Sequence, residues 1–326
     1  GMGECVELNN IGDKKVIGGL HTYAVRDNKG SFAKGFAGYI FQNMAVRNRL
    51  ASYANVSKVY GITKGNISIL PLVIPPLPEQ QKIADILSTV DGQISATERI
   101  IEKSKELKKG LMQKFFLNKA YMIMSLGRQE QSELVPIQLK SLGQILTGTT
   151  PSTKVEEYYE PKEYMFIGPS DLGVKKSITE SNKAISEKGY EVSRQLPKGA
   201  VMTVCIGATI GKVGIANEYC ATNQQINSII LKEQYNSDYI YYLLLGIRKY
   251  LLGFAGDTAT PQLNKTDFSK VVTFIHKDES ERNKITNILS EVDRKIEKEE
   301  KYKSELEQLK KGLMQQLLTG QKRVIV

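Results

Sequence analysis

The chain has 326 residues, with 45 Lys and Arg against 35 Asp and Glu and a formal charge of +10 at pH 7. That length leads us to expect two domains, and the charge suits either a polyanionic partner or a generic basic surface. No run approaches the ~18 apolar residues of a membrane span, no basic-then-apolar leader opens the chain, and Cys5, Cys205 and Cys220 form no CxxC pair, so the expectation is a cytoplasmic protein without disulfides, metal site or membrane contact.

Residues 1–78 are expected to form a first, partial domain. Its end carries Pro71, Pro75, Pro76 and Pro78. Proline is tolerated in the first turn of a helix and interrupts a β-ladder, so the strand-like ILPLVI leads into a helix over 79–119. A second such helix, followed by a tail, is expected within 281–326. Residues 79–117 align with 281–319 without a gap at an offset of 202, with 17 of 39 positions identical and KKGLMQ at both ends. The chain therefore contains a duplicated unit.

Both copies have apolar residues at three-four spacing, the pattern of a coiled coil. In the first these are Ile83, Leu87, Val90, Ile94, Ile101, Leu107, Leu111 and Phe115. In the second they are Ile285, Leu289, Val292, Ile296, Leu306, Leu309, Leu313 and Leu317. The register is expected to slip near Ser104 and Tyr302. Gly110 and Gly312 occupy matched places inside the pattern, which suggests a close helix approach or a local break.

Residues 120–280 are expected to hold a second domain of α+β class. Its strand-like runs are VPIQL, YMFIG, AVMTVCIG, KVGIA, NSIIL and VVTFI, and a helix is expected in SDYIYYLLLGIRKYLL. The run starting at Tyr39 resembles the run starting at Tyr239 at an offset near 200, so residues 3–78 read as a second copy lacking the counterpart of about 133–200. GATIGKVG has the wrong spacing for a phosphate loop, with Val213 where Ser or Thr should follow the lysine, and reads as a turn. No GxSxG elbow and no glycine-rich cofactor loop is present. Catalysis by this chain is not expected.

The duplicated helices, the PPLPEQQKIADIL start and the KKGLMQ ends resemble the specificity (S) subunit of type I restriction–modification enzymes. LGQILTGTTPSTKVEEYY, FIGPSDLG, LPKGAVMTVCIGATIGKVGIA, ATNQQINSIIL and ATPQLNKTDF are similar, in that order, to the target recognition domains of that family, as is VIGGLHTYAVR in the first half. The resemblance implies recognition domains joined by two long helices in an antiparallel coiled coil, each domain reading half of a split site in double-stranded DNA. It implies methyltransferase (M) and restriction (R) subunits as partners, with S-adenosylmethionine, ATP and Mg bound by those subunits and not by this chain.

Carried over by motif position, the DNA-binding candidates are Thr149, Thr150, Ser152 and Lys154; Ser170, Asp171, Lys175 and Lys176; Thr209 and Lys212; Asn223, Gln224 and Gln225; and Gln262 and Asn264. Amide side chains suit adenine edges and lysines suit phosphates. Each has an alternative as a turn-forming or capping residue. Lys34, Arg47, Arg49, Lys58 and Lys64 are basic candidates in the first half. Only about 75 residues precede the first helix, short of a complete recognition domain. A truncated gene, an incomplete sequence or completion by another chain would each account for that. The competing readings are a coiled-coil protein or remnant that binds M subunits without reading DNA, and a stand-alone nuclease or methyltransferase.

Overall fold

A computed structural model describes residues 5–8, 12–53, 61–118, 133–256 and 261–325. The chain forms two units, residues 1–103 with 296–326 and residues 104–295, and each long helix contributes to both. Lys58, and Ala259 and Thr260 of the ATPQLNKTDF motif, lie outside the described residues.

The 104–295 unit is built on antiparallel and mixed sheets. Its strands are β1 (Leu134–Gln138), β2 (Gly143–Thr147), β3 (Tyr164–Ile167), β4 (Ser177–Ile178), β5 (Lys183–Ile185), β6 (Gln195–Leu196), β7 (Val201–Val204), β8 (Val213–Ala216), β9 (Cys220–Thr222), β10 (Ile226–Leu231) and β11 (Val272–His276). Five of them form a sheet in the order β2-β10-β7-β8-β4, four form a sheet β5-β3-β9-β6, and β1 pairs with β11. All pairings are antiparallel except β3 with β9 and β4 with β8. All six runs of the 120–280 segment read as strands are strands here, whereas ILPLVI before the first long helix forms none. β2, β4, β5, β6 and β9 escape such a reading, because two or three residues carry no periodicity and the apolar Ile145 and Leu146 of β2 are adjacent rather than alternating.

Strand alternation sorts the two cores. Val201 and Cys205, with Val213 and Ile215 of β8, face a layer of helices. Met202 and Val204, with Ala216, face the four-stranded sheet through Ile167, Leu172 and Cys220. The helix layer is Ser237–Gly246, Arg248–Phe254 and Lys265–Lys270. Asn236 caps the first of these, its Oδ1 accepting from the Asp238 and Tyr239 amides at 2.8 and 3.3 Å. The predicted 237–252 helix is thus two helices, separated at Ile247. Phe116, Ile285 and Leu289 of the long helices complete this core.

The first long helix runs Leu77–Met112 and continues as a π-helical turn, Gln113–Asn118; the second runs Glu279–Leu318. Their burial corrects the predicted seam. Leu107 and Leu309 are 55% and 51% exposed, so neither is a seam residue. No register slip exists either. The seam in the first helix runs Ile83, Leu87, Val90, Ile94, Thr97, Ile101, Ser104, Lys108, Leu111 and Phe115, every one of them buried or half-buried. In the second it runs Ile285, Leu289, Val292, Ile296, Glu299, Lys303, Leu306, Lys310, Leu313 and Leu317, again all at least half-buried. The three-four alternation is unbroken; polar residues occupy its middle, and an apolar count skips them.

Gly110 and Gly312 do not mark close approaches. A Cβ at either would meet nothing within 4 Å among the described residues. Gly110→Ala and Gly312→Ala are therefore each expected to raise stability by about 0.5–1 kcal/mol, read as an increase in melting temperature.

The 1–103/296–326 unit packs Phe36, Ile40, Ile83, Ala84, Leu87, Leu317 and Leu318 into one cluster. Its short helices are Phe36–Gln42, Met44–Ser52 and Lys64–Ser68. Residues 16–26, the VIGGLHTYAVR run, are exposed and form no strand. No described residues offer them a ladder, and an unpaired strand has no hydrogen-bond partners. The helices here are antiparallel, since Asp91 pairs with Lys310 at 2.6 Å and Glu98 with Lys303 at 2.8 Å. Glu79, 4% exposed, accepts from Arg323 Nη2 at 2.6 Å and from the Val324 amide at 3.1 Å.

The hydrogen bond from Arg323 holds the Glu79 carboxyl below its usual 4.5. A lowered folded-state value means that the charged form is the one the fold stabilises. Its contribution is complete above pH 4.5 and is lost as pH falls through the lowered value. Thermal melts from pH 6 down to about pH 3 should therefore fall more steeply for the native chain than for Glu79→Gln. Parallel profiles would show that this pair has no part in acid stability.

The two halves carry the same side-chain knot. In one unit Tyr39 donates to Asp91 at 2.7 Å, Lys310 bonds the same carboxylate, and its ammonium lies 5.5 Å from the tyrosine ring. In the other unit Tyr242 donates to Asp293 at 2.7 Å, Lys108 bonds that carboxylate at 2.6 Å, and its ammonium lies 5.5 Å from the ring. The aspartates and lysines are related by the offset of 202, the tyrosines by 203. Phe36–Gln42 is thus the counterpart of the first turns of Ser237–Gly246, with Phe36 matching Tyr239 rather than Tyr39 doing so. The first unit, as described, repeats the helical layer and none of the sheets.

Candidate nucleic-acid interface

Antiparallel pairing brings chain ends together. β2 ends at Thr147, β10 begins at Ile226, β7 ends at Val204 and β8 begins at Val213, so their connections share one end of the five-stranded sheet. β3 is parallel to β9, which sends the loops after Ile167 and Thr222 to that end as well. Lys176 O accepts from the Ile215 amide at 2.8 Å, so the run into β4 reaches the same place. Backbone bonds tie these loops: Cys205 N to Gln225 O at 2.7 Å, Gly207 N to Pro261 O at 2.9 Å, and a β-bridge between Ile206 and Gln262.

This end carries Thr149, Thr150, Ser152 and Lys154 after β2, Ser170 and Asp171 after β3, Lys175 before β4, Thr209 and Lys212 between β7 and β8, Asn223, Gln224 and Gln225 before β10, and Gln262. Gly148 is the close contact between two of these loops, because a Cβ there would collide with the carbonyl oxygens of Thr222 and Asn223. Thr150 donates to Gln224 Oε1 at 2.7 Å. GATIGK is a turn, with Gly207 and Gly211 at φ of 87° and 78°.

Beyond the 223–225 turn, three candidates have structural engagements instead. Lys176 pairs with Asp238 at 3.1 Å, bonds Ser290 at 3.3 Å and lies over the Tyr242 ring, so its charge points into the helix layer. Asn264 caps Lys265–Lys270, its Oδ1 accepting from the Asp267 amide at 2.9 Å. Asp171 folds its own loop, accepting from the amides of Gly168 at 2.8 Å and Asn182 at 3.0 Å. In all three the capping or packing role wins, because the partner groups lie within reach along the fold.

Lys154 and Lys212 have no ion pair among the described residues, and the Lys212 stem lies against Gly173. Lys175 bonds Glu180 at 2.9 Å, and that bond pulls the Glu180 carboxyl down. The pair is exposed and so readily exchanged for a phosphate. Arg194 is a further candidate that sequence reading missed. It donates through its amide to Thr149 Oγ1 at 3.1 Å and through Nη1 to Thr147 O at 2.7 Å. No motif surrounds it; the pairing of β6 with β9 delivers it.

Burial pushes the thiols of Cys205 and Cys220 up to about 12, so both are protonated at neutral pH. Among the described residues no group of three His, Cys, Asp or Glu could hold a metal, and no helix is long and apolar enough to cross a membrane.

Residues 8–106 and 131–308 match the family described as type I restriction modification DNA specificity domain. The chain belongs to this family. Among relatives of the specificity family, the HindI specificity subunit of Haemophilus influenzae is 27% identical over 277 residues, 64% of this chain and 60% of that protein. The MjaIX specificity subunit of Methanocaldococcus jannaschii is 33% identical over 178 residues, 53% of this chain. The chain thus spans 60% and 40% of the length of these two relatives. The fold is shared with the S subunit from M. genitalium, at a TM-score of 0.58 and 18% identity over 87% of this chain and 72% of that one. It is shared too with the HsdS subunit of Thermoanaerobacter tengcongensis, at 0.53 and 16% over 88% and 70%.

Proposed function

We propose that this chain is the DNA-recognition subunit of a type I restriction–modification system. The observation that carries the reading is the convergence of hydroxyl, amide and basic side chains from five loops onto one sheet end, in a chain of the specificity family. Such a surface holds phosphates with lysine and arginine and reads base edges with amides and hydroxyls. The 104–295 unit reads one half of a bipartite target in double-stranded DNA. The long helices scaffold the methyltransferase (M) subunits, and through them the restriction (R) subunits. Methylation and cleavage, with their S-adenosylmethionine, ATP and Mg, belong to those partners, and the chain itself is a non-catalytic, cytoplasmic component.

The test is co-expression with the M subunit in a methylation-free host, followed by sequencing of modified adenines. A defined methylated motif is the expected result, with DNA binding that weakens steeply as salt rises. Capture of M with no methylation would overturn the DNA-reading assignment in favour of a binding scaffold.

A further inference from the structure

We infer that Gln224 is the adenine-reading residue of the 104–295 unit and that Thr150 is its positioning residue. The inference rests on the DNA-recognition reading above and names the base and the side chain. Three amides stand in a row before β10, and the structure separates them. Asn223 Oδ1 accepts from the Gln225 amide at 3.0 Å, and Asn223 Nδ2 donates to Gln225 Oε1 at 3.1 Å. The backbone of Asn223 is pinned as well, its amide donating to Ile167 O at 3.2 Å. Asn223 and Gln225 therefore close the turn on each other. Gln224 stands between them at the apex, exposed.

Its amide is nonetheless held. Thr150 Oγ1 donates to Gln224 Oε1 at 2.7 Å from the neighbouring loop. That loop is fixed on both sides of Thr150. Gly148 is pressed against the Thr222 and Asn223 carbonyls, and Pro151 O accepts from the Tyr159 hydroxyl at 2.7 Å. A glutamine amide has two acceptor lone pairs and two donors. Thr150 fills one lone pair and leaves one acceptor and both N–H groups of this exposed side chain for a ligand. Adenine presents one N6–H donor and the N7 acceptor on its major-groove edge, which is the complement of that remainder. A side chain held before binding loses less rotamer freedom on binding, which raises selectivity for the matched base.

The experiment is selection from a pool of randomised duplex DNA by the full chain with its M subunit, with melting curves for each variant. Gln224→Ala should lose preference at one A·T position only, by about tenfold to a hundredfold, with the melting temperature unchanged. Gln224→Glu is isosteric and accepts without donating, so preference at that position should move towards cytosine. Thr150→Val should weaken the same position, and Thr150→Ser should restore it. An unchanged motif for both Gln224 variants overturns the inference and leaves DNA recognition intact. So does a uniform loss across all sequences, which would mark a phosphate contact. A native chain that selects no sequence overturns the recognition reading and this inference together.

Discussion

Phe116→Ala is expected to cost the 104–295 unit about 3–5 kcal/mol, the range for emptying a large buried aromatic site. Phe116 is 1% exposed. Its ring stands edge-on to Tyr239 at 5.6 Å and to His276 at 6.4 Å, with Gly246 directly beneath it. It lies in the π-helical turn Gln113–Asn118. Phe115 keeps the seam position, and Phe116 is turned into the helix layer. The measurement is a urea titration monitored by two probes, because a chain of two units need not unfold in one step. A loss under about 1 kcal/mol in the unit holding Phe116 would show that the ring is not a packed element of the core.

Much of this architecture is legible in the chain, and the parts that are not share a physical cause. Long helices and strands of four to six residues announce themselves through apolar patterning, β2 excepted. The seam is legible only at its apolar ends. Thr97, Ser104 and Lys108 sit in it and are buried or half-buried, while Leu107 beside them is 55% exposed. Hydropathy ranks those four residues in the opposite order, so a reading based on apolar spacing places a slip where none exists. The duplicated Tyr–Asp–Lys knots explain the polar middle: Lys108 and Lys310 lie in the seam because each satisfies an aspartate and covers a tyrosine ring.

The candidate interface divides in the same way. Motif order places Thr149, Thr150, Lys212 and Gln224 at one sheet end because loops that join antiparallel strands return to a common edge. Motif order carries no record of which polar group finds a partner inside the fold. Lys176, Asn264 and Asp171 each find one, and only the folded chain displays it. Arg194 is the converse case, an exposed cation with no surrounding pattern, brought to Thr149 by strand pairing across 45 residues of sequence.

The second large effect concerns the point where each long helix begins. Arg282→Leu is expected to destabilise the 104–295 unit by about 3 kcal/mol, since it removes the donor to the buried His276 carbonyl and to two part-buried carbonyls beside it. Arg282 is 8% exposed and donates to His276 O and Lys277 O at 2.9 Å and to Gln234 O at 3.4 Å. The other unit performs the same task with a neutral group. Gln80, the residue 202 positions earlier, donates to Ser31 O at 3.0 Å and to Pro75 O at 2.8 Å. Pro75 is the counterpart of Lys277 at that offset, and Ser31 is the counterpart of Gln234 at the 203 found for the tyrosines. The duplicated fold therefore needs donors at this position and not a charge. Arg282→Gln should recover at least half of what Arg282→Leu loses, measured as urea midpoints under identical conditions. Equal losses for the two variants would mean that the guanidinium itself, through its third carbonyl and its place over the Tyr235 ring at 5.8 Å, is what this copy of the junction requires.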